Sequence, residues 1–216
     1  GLTTPYYIFP NSIDTKKYRH ARAIDSPITK KRGEKFIICV ARLSPEKRQM
    51  ALVEAMPHIA DETIKLVFVG GGPYERELRD RVAELGLEDR VIFTGMCSSA
   101  QVASLLKQAD VFALASYHFD NQPMTFLEAA AAGLPIVYCD ERLTEALTPK
   151  NSILTGGIEG EDFARVLTDI LSDREKLKRL SAGALRVAKA FDSETMAKKL
   201  VELYQRLIDA RRELEQ

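Results

Sequence analysis

The stretch DVFALASYHFDNQPMTFLEAAAAGLPIVYCD, from Asp110 to Asp140, holds the architecture of this chain in miniature. It opens on a short apolar run, Asp110–Ser116, and passes through a polar loop, Asp120–Asn121–Gln122–Pro123. It then becomes an alanine-rich helix that stops at Gly133 and resumes as a second apolar run, Leu134–Asp140. Continuous apolar runs between turn signals suit strands buried on both faces, as in a parallel sheet. One feature of the helix is out of keeping with its composition. It carries a single acid, Glu128, just inside its start, with an acidic loop residue, Asp120, ahead of it.

The same alternation runs outward in both directions. Upstream, the apolar runs are Phe36–Arg42, Ile64–Gly72 and Arg90–Gly95; downstream there is Ser152–Gly156. Helical periodicity fills the gaps. Leu52, Met56 and Ile59 line one face of a helix expected after Ser44–Pro45, which reads as an N-cap followed by proline at the first helical position. Leu78, Val82 and Leu85 line the next, which ends at Gly86. Ser98 and Gln101 have capping-box spacing ahead of Val102, Leu105 and Leu106. Phe163, Leu167 and Ile170 repeat the pattern. From Ser193 to about Leu214 one long amphipathic helix is expected, on Met196, Leu200, Leu203, Leu207 and Ile208. The predicted fold is therefore α/β: a doubly wound parallel sheet of about six strands with flanking helices, closed by a long C-terminal helix. The polar stretch Arg22–Glu34 reads as a linker between an opening strand near the N-terminus and the main sheet. The start at Gly1, close to that strand, reads as a fragment of something longer.

Composition narrows the function. The chain has 216 residues, 45% hydrophobic and 29% charged, with 31 basic and 31 acidic side chains. A formal net charge of zero argues against bulk electrostatic binding to nucleic acid or anionic membrane. Cys39, Cys97 and Cys139 are odd in number and widely spaced, and no Cys/His set has zinc spacing, so they read as reduced thiols of a cytoplasmic protein. No apolar run is long enough to span a bilayer. No D-x-D and no histidine cluster point to a metal. His58 reads as surface, and His118, standing before the acidic loop, could touch a ligand, with no spacing rule behind that role.

Open parallel sheets bind ligands where loops leave the carboxyl ends of strands. After the first main strand stand Arg42 and Lys47. Two cations beside a helix start suit an anion, because the first turn offers free N–H groups and a positive dipole end. Read alone, they are equally a solvated surface pair. After the second strand, Gly70–Gly71–Gly72–Pro73 permits close backbone approach, yet it is neither G-x-G-x-x-G nor a Walker loop and on its own reads as a tight turn. Gly95 and Met96 follow the third strand and could present backbone groups to a flat ring. After the fourth strand, Met124 and Thr125 open a helix whose first N–H groups are free. Glu128 would need partners in a buried setting, and ribose hydroxyls suit a carboxylate. The Ala129–Ala132 run argues that this helix is buried on most sides.

Taken in order, PNSID, ARLSPEK, VGGGP, VIFTG, ADVFALAS and DNQPMTFLEAAAAGLP resemble the C-terminal half of the GT-B-fold retaining glycosyltransferases of family 4, from about Pro10 to about Tyr204. The resemblance implies a nucleotide-sugar-binding domain spanning 1–216. Arg42 and Lys47 would contact the donor diphosphate, and Glu128, the second acid of the family's paired-glutamate motif, would take the ribose. Asp120 falls on the first acid, which in the family touches the transferred sugar. Amides around Met124 and Thr125 would face the distal phosphate, backbone near Met96 the base, and Gly71 and Gly72 the donor cleft. The resemblance also implies no cofactor and no metal, with an NDP-sugar, expected to be UDP-linked, as donor substrate and a lipid or saccharide as acceptor.

Two departures stand out. Asp120 replaces the usual glutamate, retracting the carboxylate by one methylene. The acceptor-binding domain expected ahead of this half is missing, and the terminal helix 193–216 resembles the one that crosses back to it. The isolated domain is thus expected to bind nucleotide without turning over, to sit in the cytoplasm, and to meet the inner face of the plasma membrane only peripherally, through the absent half. A nucleotide-sugar epimerase domain of the same fold and a non-catalytic flavodoxin-like module are the competing readings.

Overall fold

The computed structural model describes residues 7–22 and 25–214, with side chains in the last helix described to residue 212. In chain order the elements are α1 (Thr15–Arg19), β1 (Lys35–Val40), α2 (Gln49–Ala55), β2 (Ile64–Val69), α3 (Glu75–Glu84), β3 (Val91–Phe93) and α4 (Ser99–Gln108). They continue with β4 (Val111–Leu114), α5 (Met124–Ala132), β5 (Ile136–Tyr138), β6 (Ser152–Leu154), α6 (Gly160–Ser172), α7 (Arg174–Ala190) and α8 (Ser193–Leu214). Single 3₁₀ turns lie at Pro45–Lys47 and Met56–His58.

The six strands form one sheet in the order β3-β2-β1-β4-β5-β6, parallel at every pairing. Residues 36–40 of β1 and all of β4 are buried, whereas the edge strands β3 and β6 are partly open. A sheet apolar on both faces must be covered on both. The helices accordingly pack in two groups, α2 with α3 and α6, and α1 with α4, α5 and α7. The expected doubly wound parallel α/β sheet of about six strands is present, as is the long terminal helix.

α5 sits in the middle of its layer. Phe126, Leu127 and Ala129–Ala132 are buried. The short alanine side chains let α1, α4 and α7 pack against it, while Phe126 meets Phe112 of β4 edge-on at 5.9 Å. Burying such a ring contributes about 1.5–3 kcal/mol. Gly133, at φ 85°, ends the helix in a left-handed cap that a side chain would strain. At α4, the capping box of Ser98 and Gln101 forms as its spacing suggests.

Four expectations change. The opening strand falls partly on residues 1–6, outside the described residues. From residue 7 the chain is irregular, apart from a bridge between Ile13 and Asp192, until α1 begins. The stretch Arg22–Glu34 is irregular where described, but it is anchored. Lys30 donates its N–H to Gln108 and pairs with Asp110 at 2.5 Å, and Ile28 packs on the core. The helix expected from Ser44–Pro45 is broken, because Arg48 adopts φ 52° between the 3₁₀ turn and α2. Finally α7, unassigned by periodicity, forms between α6 and α8 around Gly183, whose missing side chain admits the carbonyl of Lys150.

Candidate functional site

Strand order reverses between β1 and β4, so the loops leaving their carboxyl ends diverge and open a crevice. A cavity of about 530 Å³ lies there, walled by Arg42, Gly71, Met96, Cys97, Val102 and Thr125. The loops after β1, β2 and β3 are tied together to make its floor. Leu43 donates to the Gly71 carbonyl at 3.1 Å, and Gly70 donates to Gly95 at 3.0 Å. Gly70 holds φ 133°, and a Cβ on it would lie 2.2 Å from the Ala41 carbonyl oxygen. Gly71 faces the cavity, where a Cβ would meet Met96 at an ordinary 3.5 Å. Gly72 does not line the cavity. It packs beneath it, with Leu43 O only 2.1 Å from where a Cβ would stand.

Arg42 is exposed at the rim and makes no side-chain hydrogen bond among the described residues. Its backbone carbonyl is held by Gln49, a fully buried side chain whose amide donates to it at 2.7 Å. Opposite lies the start of α5. Pro123 offers no side-chain cap, so the first N–H groups there face outward with the positive end of the helix dipole. Thr125 lines the cavity and Met124 is partly exposed beside it.

Lys47 and Asp120 do not stand apart, as their separate expected roles suggest. The left-handed turn at Arg48, with its guanidinium bonded to the Ile158 carbonyl at 3.1 Å, leaves Lys47 turned inward. Its ammonium meets Asp120 Oδ1 at 2.5 Å and lies 4.8 Å from the centre of the Phe119 ring. The other oxygen of Asp120 accepts from Ser116 at 2.5 Å. Both members of the pair are mostly buried, at 17% and 14% exposure.

Glu128 lies three residues from Thr125, on the same side of α5. It is half-buried, and Tyr18 donates its hydroxyl to Oε1 at 2.8 Å. Sequence reasoning missed Tyr18, which is 110 residues away with no local signal. It also missed Asp140 at the end of β5. This carboxylate is fully buried, takes two hydrogen bonds from the Arg142 guanidinium at 2.7 and 3.0 Å, and accepts from the His118 N–H at 2.7 Å. Arg142 in the first place, with the backbone donors, holds it down at about 2 against the effect of burial. His118 is thereby fixed at φ 57°, its ring stacked on Tyr117 at 3.9 Å. Asp140 thus braces the loop that carries Asp120.

Burial pushes the thiols of Cys39 and Cys139 up to about 12, so neither is a ready nucleophile or ligand. Among the described residues no three His, Cys, Asp or Glu side chains gather as a metal site. What the cavity offers is a guanidinium across from free helix N–H groups, with a carboxylate one turn along α5. That arrangement suits a ligand that is anionic at one end and carries hydroxyls next to it.

Comparison with known proteins identifies the family and the fold. The sequence model of the family described as Glycosyl transferases group 1 matches residues 21–187. A GDP-mannose-dependent alpha-(1-6)-phosphatidylinositol monomannoside mannosyltransferase of Mycobacterium tuberculosis is 30% identical over 207 residues, covering 89% of this chain and 54% of that protein. Anabaena HepE in complex with UDP superposes with a TM-score of 0.82 at 23% identity, over 92% of this chain and 57% of that one. The C-terminal domain of LpcC, a group 1 family protein of Francisella tularensis, superposes with a TM-score of 0.72 at 20% identity, over 82% of this chain and 97% of that one. The chain spans about half the length of the curated relatives it matches over most of its own length.

Proposed function

The chain belongs to the group 1 glycosyl transferases, and from that membership we propose that it is the donor-binding half of a GT-B-fold, retaining, metal-independent hexosyltransferase of family 4. The observation that carries the reading is the convergence of Arg42, Gly71, Met96 and Thr125 on one cavity at the carboxyl edge of the sheet. Glu128 stands one turn beyond Thr125. The donor is a nucleoside diphosphate hexose. Its base lies against the backbone near Met96, its ribose on Glu128, and its phosphates between Arg42 and the N–H groups of Met124 and Thr125.

The chemistry follows from these groups. Breaking the bond from the anomeric carbon to the diphosphate builds negative charge on the leaving oxygen. Arg42 and the helix N-terminus are donors already aimed at that place, which lowers the barrier without reorganisation. Lys47 is already neutralised by Asp120, so a donor phosphate takes it up only by competing with that carboxylate. Asp120, tied back to Ser116 and Lys47, meets the sugar from a retracted position.

Uridine is the expected nucleoside, and the HepE structure contains UDP. The mycobacterial relative is named for GDP-mannose, so guanosine is the competing choice. That relative's name also supports a lipid-linked saccharide as acceptor. The matching LpcC domain supports reading this chain as a C-terminal half, with acceptor residues on another domain. The exposed Val201, Tyr204, Leu207 and Ile208 of α8 suit a helix that crosses to it. Without that domain the chain binds donor and does not turn over. No helix among the described residues is long and apolar enough to cross a membrane; contact with the inner face of the plasma membrane would be peripheral and through the other half.

Calorimetric titration with UDP, GDP and ADP, first without metal and then with Mg²⁺, tests the reading. Saturable binding of one of them, unchanged by Mg²⁺, is expected. A folded chain that binds none would sink it.

A further inference from the structure

We propose that Tyr18 is a positioning residue that aims the Glu128 carboxylate at the ribose of the bound nucleotide. The proposal rests on the donor-domain reading above. The last torsion of a glutamate side chain is broad, so its carboxylate has no orientation of its own. Among the described residues, Glu128 has one hydrogen-bond partner, the Tyr18 hydroxyl at 2.8 Å on Oε1. Tyr18 is 6% exposed and therefore cannot swing away. Its helix, α1, packs against α4 and α5, the two helices that give Val102 and Thr125 to the cavity.

The position of α1 is itself fixed at its N-terminal end, against the start of α8. Asp14 caps it, accepting from the N–H groups of Lys16 and Lys17. Ile13 bridges to Asp192, Thr15 donates its hydroxyl to Asp192, and Lys16 pairs with Glu194 at 2.7 Å. The phenol is thus delivered to Glu128 by packing rather than by sequence proximity. Burial first, and Glu128 second, push the phenol above its ordinary range, so it keeps its proton and remains a donor. With Oε1 engaged by Tyr18, Oε2 is left to accept from a ribose hydroxyl.

The test is Tyr18→Phe, which removes one oxygen and keeps the ring. Dissociation constants are measured by calorimetry for the nucleoside diphosphate the wild type binds best and for its 2′,3′-dideoxy counterpart, with melting curves to verify folding. Tyr18→Phe is expected to weaken the ribonucleotide about fivefold to tenfold and to leave the dideoxy compound within about twofold, so that ribose discrimination falls by the same factor. In a Glu128→Ala background, Tyr18→Phe should add nothing. Equal losses for both nucleotides, no loss for either, or additive losses in the double variant would each overturn the proposal. Wild-type protein that binds nucleotide without preferring ribose removes the Glu128 contact and this inference with it, while leaving the donor cavity standing. Wild-type protein that binds no nucleotide sinks the donor-domain reading itself.

Discussion

Replacing Gly70 with alanine probes the floor of the cavity. Two costs add at this position. The backbone holds φ 133°, a conformation that L side chains rarely adopt, and that strain is worth about 1–3 kcal/mol. The new Cβ would also stand 2.2 Å from the Ala41 carbonyl oxygen and 3.1 Å from its carbon. These are backbone atoms, so no side chain can turn aside, and the end of β1 must shift; overpacking of this kind costs about 1–3 kcal/mol. The sum is about 2–6 kcal/mol, and at about 2–4 °C per kcal/mol for a domain of this size the melting temperature should fall by roughly 4–24 °C. Scanning calorimetry reads this directly, and denaturant titration should show a lower midpoint with an unchanged slope. Gly33→Ala is the control. Gly33 holds φ 91°, and a Cβ there would meet nothing within 4 Å, so it isolates backbone strain from collision. If Gly70→Ala melts within about 2 °C of wild type, or no lower than Gly33→Ala, the tight coupling of the β1 and β2 loops is refuted.

Other perturbations follow from the same contacts. Glu128→Ala should weaken nucleoside diphosphate binding by about 1.5–3 kcal/mol, the range for hydrogen bonds to a charged group, measured by calorimetry. Arg42→Ala should weaken the diphosphate and leave the free nucleoside nearly unaffected; equal loss for both would contradict its assignment to the phosphates. Asp140 is held below its unfolded value of 3.8 at about 2, so its contribution to stability is complete above that unfolded value and is lost as pH falls through about 2. Asp140→Asn should therefore lower stability at neutral pH and flatten the acid limb of a plot of melting temperature against pH. Gly183→Ala sets two effects against each other: alanine in a helix gains about 1 kcal/mol over glycine, but a Cβ would lie 1.8 Å from the Lys150 carbonyl oxygen. The collision should win, giving net destabilisation in chemical denaturation.

Much of the architecture was legible because the signals are local. Buried strands read as unbroken apolar runs, and amphipathic helices repeat every three to four residues. The Ser98–Gln101 capping box spans a single turn. These features specify the alternation, the parallel sheet and the terminal helix without any tertiary information. The break at Arg48 was not legible, since Ser44–Pro45 is a sound helix start by every local rule. What diverts the chain is a guanidinium held 110 positions away by Ile158. Nor was α7, whose Gly183 argues against a helix until the loop packed on it is seen.

The site divides in the same way. Sequence order determined which residues stand at strand ends, because that depends only on where apolar runs stop, and resemblance supplied their expected roles. Composition alone left Arg42 and Lys47 open between surface charge and anion site. Only the tertiary structure brought Lys47 to Asp120 across 73 residues, Asp140 to the His118 loop, and Tyr18 to Glu128. The physical reason is range. Periodicity and capping act within one or two turns of chain, whereas the partner of a half-buried charge is chosen by which loops the strand order sets side by side, and that order is a property of the packed sheet.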